Sequence, residues 1–228
     1  MDNYLREAFL DYSKSKEFAK KLKKAEGITQ KAIKNYKTYV SYSGGKDSTV
    51  VLHLAISFKP DILVIHWDYG SFMPRKYFEE LVENAKAIGA VNLKIYTSDT
   101  YKKLGRKALN VWGKEFFKRV APQLKEKGYK AVLLGLRKEE SPTRKRTVEK
   151  GRAIAGIKEF YPIGDWSYRD VWAYILSHNL PYHSTYDIYG PIIGWDKVRF
   201  VTFFDPQFEK FGTPYIDGVL SWKFRNIT

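Results

Sequence analysis

The spacing of apolar positions changes along the chain. Over residues 1–36, Leu5, Phe9, Leu10, Phe18 and Leu22 recur at helical spacing with lysines on the other faces, which predicts one or two amphipathic helices. Gly27 is expected to break the run, with Thr29 capping a second helix through Ile33. The lysines read as a face shown to water; an RNA-binding arm is the second reading. From Thr38 the pattern shifts. Thr38-Tyr39-Val40, Ile62–Asp68, Leu93–Thr97 and Ala131–Leu136 are short, largely apolar runs, as strands buried on both faces are. Between them lie an apolar helix over Thr49–Ile56, one from Arg75 to about Ile88, and one from about Lys114 to Lys127 stopped by Gly128. Residues 98–113 show no regular period. This alternation predicts an α/β fold, a mostly parallel twisted sheet flanked by helices and joined by right-handed crossovers.

The first strand runs into Ser41-Tyr42-Ser43-Gly44-Gly45-Lys46-Asp47-Ser48, a tight turn into a helix. Two adjacent glycines permit positive φ and close backbone approach to a ligand. The helix N-terminus leaves N–H groups unpaired and attracts an anion. Lys46, expected at the surface, adds a charge, and Ser43 and Ser48 add hydroxyls. Together they describe a phosphate cradle; an ordinary turn capped by Ser43 or Asp47 is the plainer alternative. The Walker pattern does not fit, because position 40 is Val and position 47 is Asp.

Ser-Gly-Gly-Lys-Asp-Ser resembles the PP-loop of the ATP pyrophosphatase superfamily, whose fold is of the adenine nucleotide α-hydrolase-like type. The resemblance implies ATP bound through its β- and γ-phosphates, attack of an acceptor on the α-phosphorus, and departure of pyrophosphate. Ser41, Ser43, Gly44, Gly45, Lys46, Asp47 and Ser48 would hold the nucleotide, with Lys46 as the catalytic charge. Asp68, which ends the second strand just before Gly70, matches an Asp–Gly pair where that family's strand backbone meets adenine; a plain turn former is the alternative. Asp47 and Asp68 are the candidate ligands for Mg²⁺ bridging the phosphates.

Two further stretches resemble phosphoadenosine phosphosulfate reductases and their relatives. One is Gly135-Leu136-Arg137, followed by Glu140-Ser141 and Arg144, whose basic groups would hold ATP or sulfonucleotide phosphates. Arg137 also stands at a strand's carboxyl end, where such sheets bind ligands, and its guanidinium suits phosphate or sulfate. The other runs from Pro162-Ile163 through Trp166 and Asp170-Val171-Trp172 to Leu180-Pro181-Tyr182 and Tyr186-Asp187. There Trp166, Val171, Trp172 and Ile175 are expected in the core, with Asp170 capping or bracing. The expected organisation is a helical segment over 1–36, a nucleotide-binding domain over 37–190, and an aromatic-rich segment over 191–228 packed on the same domain.

Composition narrows the chemistry. None of the 228 residues is Cys, so these residues form no disulfide, thiolate metal site or thiol nucleophile, although the resembled reductases use a C-terminal cysteine. The formal net charge of +15 favours anionic partners. No apolar run is long enough to span a bilayer, and a cytoplasmic protein without membrane association is expected. The leading function is adenylyl transfer from ATP to a small anionic acceptor such as sulfate, a sulfonucleotide or a phosphorylated cofactor. The alternatives are a tRNA-modifying PP-loop enzyme with RNA as partner, or a non-catalytic nucleotide-binding subunit. A homo-oligomer or a partner subunit is expected.

Overall fold

A computed structural model describes residues 1–68, 70, 75–97 and 116–200. Helices α1 (Asn3–Ser13) and α2 (Lys16–Asn35) precede the sheet. Strand β1 (Thr38–Ser41) leads through the glycine turn into α3 (Lys46–Phe58). Then follow β2 (Leu63–Asp68), α4 (Arg75–Ile88), β3 (Leu93–Thr97), a π-helical turn at Phe116–Val120 that continues into α5 (Ala121–Glu126), and β4 (Ala131–Leu133). A 3-10 turn at Lys138–Glu140, α6 (Pro142–Lys150), β5 (Ala153–Ile154), β6 (Ile157–Phe160), α7 (Tyr168–Ser177) and α8 (Thr185–Ile193) complete the described elements. The six-stranded sheet has the order β3-β2-β1-β4-β6-β5. Every pairing is parallel except the β5–β6 hairpin.

Strand alternation sorts the core into two layers. Val40, Val64 and Leu133 face the cluster built with Phe18, Val51, Trp172 and Ile175. Tyr39, Leu63, Ile65, Val132 and Ile157 face the opposite cluster, with Val120, Ala121 and Leu124. Helices α2, α3 and α7 pack side by side on the first face. The expected core residues Trp166, Val171, Trp172 and Ile175 are all buried there. The N-terminal helices contribute Phe9, Phe18, Ala25 and Ala32 to the same cluster.

Several elements differ from expectation. Gly27 does not break the helix: α2 runs through it, and the break falls at Lys14-Ser15, where the Ser15 hydroxyl accepts from the Phe18 N–H. Thr29 caps nothing; it is buried inside α2 and donates to the Ala25 carbonyl at 2.9 Å. The amphipathic pattern on both sides of Gly27 outweighs the roughly 1 kcal/mol that glycine costs a helix interior. Strand β4 ends at Leu133 rather than Leu136, because the chain then turns toward the glycine loop. Of the helix expected over 114–127, the described part is a π-helical turn at Phe116–Val120 followed by a helix of six residues. β5 and β6 were not expected. Their two-residue turn, Ala155-Gly156, has φ of 52° and 79°, the primed hairpin geometry, without the Asn or Asp that usually marks it. Residues 98–113 and most of the aromatic segment lie outside the described residues.

Asp170 ties the N-terminal helices to α7. It closes a capping box with Ser167, whose N–H donates to it at 2.6 Å. It also accepts from the Tyr12 hydroxyl at 2.7 Å and from Lys21 Nζ at 2.9 Å. Burial works to raise its pKa, but the Ser167, Tyr12 and Lys21 hydrogen bonds prevail and lower it. The folded pKa is therefore below the unfolded value of about 3.9, so its stabilisation is present above that pH and is lost as pH falls through the folded value. Asp170→Ala is expected to cost about 2–3 kcal/mol in urea unfolding at pH 7. That difference should shrink as the pH is lowered below about 3.9.

Candidate functional site

The glycine loop sits at the carboxyl ends of β1 and β4, where open α/β sheets bind ligands. Gly44 has φ of +85°, and a Cβ there would lie 2.9 Å from Leu81 Cβ. Gly45 is the N-cap of α3 and supplies no side-chain cap, so the helix N-terminus is left to other acceptors. Ser43 and Ser48 brace the turn: their hydroxyls lie 3.1 Å apart, the Ser43 N–H donates to Ser48 Oγ, and Ser48 donates to the Gly45 carbonyl.

Gly135 explains how the loop is held. A Cβ on it would come within 2.7 Å of the Asp47 carbonyl carbon and 2.8 Å of the Ser48 nitrogen. The chain leaving β4 therefore passes directly against the first turn of α3, and Arg137 locks the crossing. Arg137 is 2% exposed, and its Nε donates to Asp47 Oδ1 at 2.5 Å. It also pairs with Glu139. Burial would raise the Asp47 pKa, but Arg137, then Lys46, hold it down at about 2. Arg144 pairs with Glu140, and Arg199 reaches the same Glu140 oxygen at 2.6 Å. Lys46, Arg137, Arg144 and Arg199 thus face Asp47, Glu139 and Glu140, four cations against three carboxylates.

Lys46 is not at the surface. It is 1% exposed, and its Nζ donates to the Val198 carbonyl at 2.8 Å. The Lys46 N–H donates to the Tyr186 hydroxyl at 3.0 Å, and the Phe200 N–H donates to that hydroxyl at 3.1 Å. The Phe200 ring stacks on His183 at 4.2 Å, over Gly44. Residues 198–200 therefore form a strap across the loop, with Tyr186 joining the two. Neither Tyr186 nor Val198 was singled out as part of the site from sequence; their pairing with Lys46 spans 140 residues or more.

Asp68 stands apart from this cluster. Both its oxygens accept from Arg75 at 2.9 Å, and Oδ1 also accepts from the Gly70 N–H. Ser41 faces the other side of the sheet. There it lines a cavity of about 260 Å³ with Trp67, Phe116, Leu134, Leu136 and Arg152. Among the described residues no three His, Cys, Asp or Glu side chains gather as a metal cluster.

The phosphoadenosine phosphosulfate reductase domain model matches residues 37–197. The chain belongs to this family. Among similar members, the phosphoadenosine 5′-phosphosulfate reductase of Xylella fastidiosa strain M23 is 33% identical over 162 residues, which cover 65% of this chain and 66% of that protein. The corresponding reductase of a Synechococcus species is 34% identical over 180 residues, covering 70% and 74%. A crystal structure of the Candida auris reductase in complex with phosphate superposes with a TM-score of 0.52 at 22% identity, over 76% of this chain and 92% of that one. The fold is thus shared within this reductase family, and the loop, Gly135 and Arg137 all fall inside the matched segment.

Two outcomes follow for this family site. Gly135→Ala should cost about 1–3 kcal/mol in chemical unfolding, because the added methyl meets backbone on a packed crossing. The Asp47–Arg137 pair should add stability at pH 5 that is lost as pH falls from about 4 toward 2. Asp47→Asn should flatten that part of the acid-unfolding curve.

Proposed function

We propose that the chain binds ATP at the glycine loop and transfers its adenylyl group to a small anionic acceptor, releasing pyrophosphate. The observation that carries this reading is the α3 N-terminus, whose N-cap Gly45 supplies no side chain, with buried Lys46 beside it in a cluster of four cations and three carboxylates. Pyrophosphate leaving the α-phosphorus gains charge, and donors fixed before the reaction stabilise that charge as it develops. In this reading the acceptor oxygen attacks the α-phosphorus, the bond to the bridging oxygen breaks, and Lys46 with the loop N–H groups holds the departing phosphates. The phosphates take the place of the Val198 carbonyl and the Tyr186 hydroxyl, so the strap is displaced when ATP enters. The cavity beside Ser41 and Trp67 offers an apolar wall for the nucleoside. Arg144, partly exposed beside the loop, is the acceptor contact, whereas Arg137 braces Asp47.

Mg²⁺ travels with ATP in this proposal, but neither of the carboxylates expected to hold it is free to do so. Asp47 is engaged by Arg137 and Asp68 by Arg75, so no step is routed through a metal held by these carboxylates. Thiol chemistry is set aside because none of the 228 residues is Cys. One observation favours a second reading, a nucleotide-binding subunit without turnover: Lys46 is already satisfied inside the chain.

The test is release of AMP and pyrophosphate from ATP, screened against sulfate, sulfonucleotides and phosphorylated cofactors. The wild type should respond to one acceptor. Lys46→Met, which keeps the buried aliphatic stem, should lose about 100-fold or more in turnover. Arg144→Ala should keep ATP binding and lose about 1.5–3 kcal/mol of acceptor binding. ATP binding with no turnover on any acceptor supports the subunit reading; full turnover in Lys46→Met rejects the loop as the reaction site.

A further inference from the structure

The second face of α2 has no explanation in the fold or in nucleotide binding. Its apolar side is spent on the core through Phe18, Ala25 and Ala32. On the other side, Lys16, Lys20, Lys23, Lys31 and Lys34 are exposed. Helix geometry places all five within about 40° of the direction of Gly27, which is exposed at the middle of the row. Among the described residues none of the five is paired with a carboxylate; the Glu17 beside them pairs with Lys21. Like charges three and four residues apart disfavour a helix, so the row works against its own element. Gly27 works against it again, and among the described residues no atom beyond its own chain neighbours and helix turn lies within 4 Å of where its Cβ would be. Among the described residues nothing therefore calls for glycine there, whereas an outside group approaching the backbone closely would.

Beside the row, reached through Lys24, lies a groove of about 410 Å³ between α2, α6 and β6, lined by Lys24, Lys138, Lys150 and Lys158 and by Glu149, Glu159 and Asp165. Asp165 pairs with Lys24 and Lys138, which leaves Lys150 and Lys158 as the lysines toward a ligand in the groove. The partly buried ring of Phe160 lines it, and Lys158 sits 5.3 Å from that ring and 5.9 Å from the ring of Tyr36. Basic and aromatic groups side by side suit unstacked nucleotides. A bilayer fits less well, because α2 has no apolar face left to insert.

We infer that the lysine row of α2, centred on Gly27, and the groove beside it form a docking surface for a folded RNA with unpaired nucleotides. Phosphates lie along the row, one strand passes close to the Gly27 backbone, and exposed bases reach the groove. This surface is separate from the glycine loop and does not depend on the reaction proposed there.

The experiment measures fluorescence anisotropy with bulk transfer RNA over a salt series. A 20-base-pair DNA duplex and phosphatidylserine vesicles serve as comparison probes. The wild type should bind the RNA most tightly. Lys20→Gln/Lys23→Gln/Lys31→Gln should weaken binding tenfold or more and reduce the salt slope by about two. Lys86→Gln/Lys94→Gln/Lys127→Gln, three exposed lysines elsewhere, should change it less than threefold. Gly27→Gln should raise the melting temperature and weaken RNA binding severalfold, a split that a folding defect does not produce. Equal losses in the two triple variants would show net charge alone and overturn the surface. So would equal binding of duplex or vesicles through the same lysines. Unchanged RNA affinity in Gly27→Gln would overturn the close approach at that residue.

Discussion

The contact between the chain leaving β4 and the first turn of α3 governs the geometry of the site. Gly135 lets the two backbones meet, and the Asp47–Arg137 pair holds them there. Removing either partner of a buried pair leaves a charge without compensation, so the two residues stand or fall together. This crossing sets where the α3 N-terminus points, and with it the direction of Lys46 and the loop N–H groups. Asp47 is therefore a brace in this structure, and its place beside Lys46 follows from that task.

Much of this was legible because parallel strands buried on both faces leave a plain record. β1, β2 and β4 stand where their apolar runs ended a helix pattern, and the glycine turn followed the first of them. The hairpin of β5 and β6 was not legible. β6 alternates buried and exposed positions over four residues, and Ala155 adopts positive φ without a residue type that announces it. Gly27 misled because a local helix breaker gave way to a long amphipathic pattern.

Within the site, the loop residues, Gly135 and Arg137 were read from sequence and meet in space. Lys46 was read as a surface charge because lysine is rarely buried. What buries it, a carbonyl at Val198 and a hydroxyl at Tyr186, comes from distant parts of the chain that no local pattern connects. Asp68 was grouped with the loop but sits in its own ion pair with Arg75. The strap closes the site with the chain's own groups, and in the proposed reaction a ligand would open it only through contacts strong enough to replace these.

Amide hydrogen exchange with and without ATP tests that exchange of partners most directly, followed on peptides spanning the loop and the strap. ATP should slow exchange at Gly45–Ser48 and speed it at Val198–Phe200, because in the proposed reaction the nucleotide takes the strap's place on the loop. Protection confined to other parts of the chain, with the loop and strap unchanged, would contradict it.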